Sequence, residues 1–146
     1  MVGTGAQLLD NNGEGGDSID AHITWQHGES LLWTVPRDGV VTEYIRLIFR
    51  EIDELVVNRT AVAMLVDVRA TDVPNAASRA EIVAGVNALA DSLCGLALLT
   101  GQSVRQKFVV QVSRFMMTRI PVPFRMFTDM DEANAWLKTT RESASQ

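Results

Sequence analysis

The chain has 146 residues, the length of one domain, and 47% of them are hydrophobic, which supplies a core and excludes a wholly disordered polypeptide. A formal charge of −5 opposes non-specific phosphate binding, so nucleic acid is not an expected partner. One cysteine excludes an internal disulfide, and the chain shows neither a secretory-signal layout nor an apolar run near the roughly 20 residues that cross a bilayer, so a cytoplasmic location without a transmembrane segment is expected.

Residues 1–20, around Asn11-Asn-Gly-Glu-Gly-Gly-Asp17, are polar and aperiodic and read as a flexible leader. Alternation then begins. Ile23 and Trp25 share one strand face, Leu31, Trp33 and Val35 repeat the pattern after Gly28, and the pair predicts a hairpin ended by Pro36 and Asp38-Gly39. Val41, Ile45, Ile48, Ile52 and Leu55 recur at helical spacing and predict a first helix. Ala61–Val68 is an apolar run suited to a central strand buried on both faces.

A loop over Thr71–Asn75 leads to a second helix, starting at Asn75 or Ser78 and carrying Ile82, Val86, Leu89 and Leu93 on its inner face. Leu96–Leu99 is a further buried strand. The third helix, Ser103–Met116, is predicted to face inward with Val104, Phe108, Val112 and Phe115 or Met116. Pro121 and Pro123 precede an edge strand over Phe124–Phe127. Asp129 caps a last helix, with Glu132 in capping-box register and Ala133, Trp136 and Leu137 on its buried side. The expected domain spans 21–140, with a flexible tail over 141–146.

The order β-β-α-β-α-β-α-β-α predicts an α/β fold: a mixed five-stranded sheet with four helices, its parallel strands joined by right-handed crossovers. With the hairpin, the strand Leu65-Val-Asp-Val-Arg69 and the closing Arg125-Met-Phe-Thr-Asp-Met-Asp-Glu-Ala-Asn-Ala-Trp-Leu-Lys138, this chain resembles the anti-sigma-factor antagonist (STAS) domains, closest to their SpoIIAA-like branch. The likeness covers roughly residues 21–138. It implies a SpoIIAA-like fold and a non-catalytic regulatory or protein-interaction role, with a kinase-targeted serine in the loop after the third strand. Here that loop reads Asn75-Ala-Ala-Ser78, with alanine at the serine positions of the family pattern, a departure from phosphorylation control.

Four residues of this region are candidates for a regulatory loop: Asp67, Arg69, Thr71 and Ser78. Asp67 and Arg69 end a strand, where ligands of open α/β sheets gather, although such a pair also serves to anchor loop backbone. Ser78 opens a capping-box spacing with Glu81; phosphate on Ser78 or Thr71 would meet a helix N-terminus. The third helix offers a candidate partner surface in Arg105, Val109, Phe115 and Met116, for a protein, a second copy (a homodimer) or a peripheral lipid headgroup region. The alternative function is a small apolar ligand or lipid site between that helix and the sheet. His22 and His27 lie five apart, which suits no shared metal, and Cys94 reads as a small buried hydrophobe. No nucleophile, base and acid group together, so neither enzyme activity nor a cofactor or metal is expected.

Overall fold

A computed structural model describes residues 22–26, 30–38 and 40–144 of the protein. The expected leader, and His27 and Gly28 of the expected turn, lie outside the described residues. Strands β1 (Ile23–Gln26) and β2 (Ser30–Thr34) pair antiparallel, with Ile23 opposite Trp33 and Gln26 opposite Ser30. Helix α1 (Thr42–Val56) leads to β3 (Val62–Asp67), α2 (Ala76–Ala88) to β4 (Leu93–Leu99), and α3 (Val104–Met117) to β5 (Phe124–Phe127), all parallel to β2. Helix α4 (Met130–Ala144) closes the chain. The sheet runs β1-β2-β3-β4-β5, so every strand lies beside its sequence neighbour. The mixed five-stranded sheet, the four helices and their order are those expected.

Period-two geometry sorts the apolar strands between two cores. Met64, Val66, Leu96 and Leu98 face α1 and α2 together with Leu31 and Trp33. Ala63, Leu65, Ala97 and Leu99 face the opposite side, where Ala133 and Leu137 of α4 cover them. Both faces of β3 are therefore dry, which is why its sequence shows no alternation. Two glycines mark close approaches. A Cβ on Gly85 would sit 2.5 Å from Cγ of Phe49, holding α2 tight on α1, and one on Gly95 would sit 2.9 Å from Cγ2 of Thr140 beneath α4.

Several boundaries differ from expectation. The buried side of α1 is Ile45, Ile48, Phe49, Ile52 and Val56, while Val41 and Leu55 are exposed. Leu93 belongs to β4 rather than the second helix, which ends at Ala88 with Leu89 as its C-cap. The expected tail is corrected too: residues 141–144 are the last turn of α4, and Arg141 donates to the hydroxyl of buried Ser30. Polarity suggested fraying there; the anchor from Arg141 back to β2 is a contact between distant parts of the chain.

Candidate functional site

The loop leaving β3 is closed by its own hydrogen bonds. Asp67 Oδ1 accepts from the backbone N–H and Nε of Arg69, both at 3.0 Å, and Oδ2 accepts from its second guanidinium nitrogen at 2.9 Å. That bonding raises the Arg69 pKa further. A carboxylate already holding a two-pronged guanidinium and a backbone donor is a structural clasp. Thr71 donates to the Val68 carbonyl at 3.0 Å and is 1% exposed.

Ser78 is fully buried and donates to the Val40 carbonyl at 2.6 Å. The helix cap is Asn75, whose side chain accepts from the Ser78 N–H at 2.9 Å. The expected capping box at Ser78 and Glu81 is thus displaced: α2 begins one turn earlier, which draws Ser78 under the loop before α1, and Glu81 pairs with Arg46 instead. Neither candidate hydroxyl reaches solvent, and each donates to a backbone carbonyl.

Gln106, not singled out in the sequence, joins this loop to α3. Its Nε2 donates to the carbonyls of Val68 (3.1 Å) and Thr71 (3.2 Å), and its Oε1 accepts from Gly101 N–H at 2.8 Å. It is 2% exposed, so those bonds replace water that the carbonyls lost on burial. The available signal was Ser103-Val-Arg-Gln106, a capping-box spacing; Ser103 Oγ does accept from Gln106 N–H, at 3.2 Å.

Helix α3 is turned relative to the expected orientation. Gln106, Val109, Ser113 and Met116 point inward, whereas Val104, Phe108 and Phe115 stand 72%, 57% and 63% exposed. The expected partner surface therefore divides: Arg105 and Phe115 are outside, Val109 and Met116 inside. Apolar periodicity alone favoured the stripe through Phe108, but the carbonyls beneath α3 require the Gln106 side. Arg105 pairs with Asp72 at 3.1 Å, and the Arg119 guanidinium lies 5.3 Å from the Phe115 ring centre. Residues 92–128 carry Arg105, Lys107, Arg114, Arg119 and Arg125 and no acid, although the whole chain is at −5.

Between the sheet and α1, α2 and α3 lies an apolar cavity of about 60 Å³, walled by residues including Trp33, Val66, Pro74, Ile82 and Met116. The Cys94 thiol donates to the Ala61 carbonyl, and burial pushes its pKa up, away from thiolate chemistry. Trp33 Nε1 donates to the Tyr44 hydroxyl, itself 3.1 Å from His22 Nδ1. Burial pushes the Tyr44 pKa up to about 12, opposed by the bond from Trp33. Among the described residues, no group of three or more His, Cys, Asp or Glu side chains is placed to hold a metal, and no helix is long and apolar enough to cross a membrane.

No family model and no curated protein matches the chain. Its structure is similar to that of an uncharacterized protein from the DUF3478 family of Shewanella loihica PV-4, described as having a SpoIIAA-like fold. The two share 11% identity and a TM-score of 0.57, over 79% of this chain and 90% of that one. The fold is SpoIIAA-like. At that identity the likeness concerns architecture alone.

Proposed function

We propose that this domain is a non-catalytic cytoplasmic interaction module that binds a protein partner through the outer face of α3. The observation that carries the reading is the exposed stripe of Val104, Phe108 and Phe115 on a helix whose other side is already packed. Such a row of large apolar side chains on one helix marks a contact surface more than scattered exposed residues do. The chemistry around it supports recognition over turnover. Asp67 is held by Arg69, the Thr71 and Ser78 hydroxyls serve backbone carbonyls, and burial disfavours the Cys94 thiolate.

A regulatory role of the kind implied by the STAS resemblance fits this reading, with binding rather than phosphorylation as its device. The test is affinity capture from native cells with wild-type protein and the Phe108→Ser/Phe115→Ser double variant in parallel. A partner retained by the first and lost by the second, at equal thermal stability, is the expected result. Identical captured sets would overturn the reading.

The cavity favours a second reading, a site for a small apolar ligand. Its volume of about 60 Å³ is less than half the roughly 150 Å³ of a cavity that holds benzene. A lipid chain would need α3 to swing outward, breaking the Gln106 bonds, so this reading stands behind the first.

A further inference from the structure

The outer face of α3 combines a narrow apolar seam with flanking cations. Val104, Phe108, the half-buried Val112 and Phe115 recur at intervals of four, four and three residues, a spacing that keeps them on one line along a helix. At 1.5 Å per residue the line spans roughly 16 Å. At the helical turn angle, Arg105 borders one side of the line, and Lys107 and Arg114 border the other. Arg119 follows at the end of the helix, against Phe115. Helix α3 contains no acid, in a protein that is acidic overall. A seam with like charges along both edges is how paired helices select an opposite-charged mate.

We infer, building on the proposed function, that the partner segment is an acidic amphipathic helix, laying an apolar stripe on Val104, Phe108 and Phe115 with carboxylates beside Lys107, Arg114 and Arg119. A second copy of this chain fits poorly, because a two-fold contact sets the same patch against itself and brings these cations together. An anionic bilayer fits less well than a helix. The seam is narrow where interfacial helices present a broad apolar face, and the half-exposed Asp72 carboxylate beside Arg105 would meet the headgroups.

The test pans a displayed library of helical peptides against the intact protein. Leu or Phe is fixed at positions i, i+4, i+7 and i+11, and the flanking positions vary among Glu, Gln and Lys. Enrichment of Glu-flanked peptides is expected, with affinity lost on Phe108→Ser/Phe115→Ser and lowered about tenfold or more on Lys107→Glu/Arg114→Glu. Lys-flanked peptides should gain on the charge-reversed variant. Enriched peptides that require Phe108 and Phe115 but carry no acid would overturn the inference while leaving the proposed function standing. Co-sedimentation with phosphatidylserine–phosphatidylcholine vesicles, or a dimer in light scattering, would overturn it too if abolished by the Phe108→Ser/Phe115→Ser change. Peptides indifferent to that change would remove both the inference and the proposed function.

Discussion

Helices α1 and α3 both cross over between parallel strands and line the same cavity, yet α1 turns a wholly apolar surface inward and α3 a mixed one. Helix α1 buries Ile45, Ile48, Phe49, Ile52 and Val56 against the middle of the sheet. Helix α3 buries Gln106 and Ser113 beside Val109 and Met116, and leaves two phenylalanines in water. The difference lies in what is underneath. Beneath α1 are side chains such as Leu31, Trp33 and Val66; beneath the start of α3 are the carbonyls of Val68 and Thr71, to which Gln106 donates. An apolar residue in place of Gln106 would strand the Thr71 carbonyl and the Gly101 amide, while the Val68 carbonyl would keep its bonds from Thr71, and each stranded group costs about 1–3 kcal/mol. Burying one more phenylalanine offers about the same, roughly 1.5–3 kcal/mol. The Thr71 carbonyl and the Gly101 amide together outweigh it.

The sharpest way to break this contrast is a pair of truncations. Ile52→Ala should lower unfolding free energy by about 2–5 kcal/mol, because Ile52 is fully buried and its cavity cannot refill. Phe108→Ala should stay within about 0.5 kcal/mol of wild type in the same denaturant titration. Equal losses would mean that α3 packs through its phenylalanines after all. Next in size, Gln106→Ala should cost roughly 2–3 kcal/mol, more than its small lost apolar area explains. An unchanged midpoint would show that those groups find other partners.

The last effect concerns pH and acts on α1 through Tyr44. The Tyr44 pKa stands at about 12 in the folded protein against an ordinary 10.0, so the folded state holds its proton longer. The stability tied to neutral Tyr44 is complete below pH ~10 and is lost as pH climbs through about 12. Tyr44→Phe should flatten that alkaline decline in melts between those two limits; a decline of unchanged steepness would assign it to other groups.

Local pattern was enough to find the strands, though not every boundary. The apolar run Ala61–Val68 contains β3, and Phe124–Phe127 is β5 at the sheet edge, because each is marked within a few residues, by unbroken apolarity or by prolines beside it. Helix faces were legible only where the apolar stripe and the apolar floor coincide, as in α1, and even there the inner edge is Val56 rather than Leu55. For α3 two apolar stripes competed, and the deciding groups were backbone carbonyls 35 and 38 residues away, which no window along the chain contains. The environment of Ser78 was hidden for the same reason. Ser78 looked like a cap from its neighbours, but its acceptor is Val40, 38 positions earlier.

The fork made by Gln106 has a mechanical corollary. One amide side chain grips the loop behind β3 at two carbonyls and the Gly101 backbone at a third point, near the N-terminal end of α3. Rolling α3 about its long axis must therefore either snap that grip or drag residues 68–71 along. Those residues include Arg69, whose hold on Asp67 closes the strand end. A torque applied from outside at Phe108 is thus delivered to the tip of β3, on the far side of the helix from where it was applied.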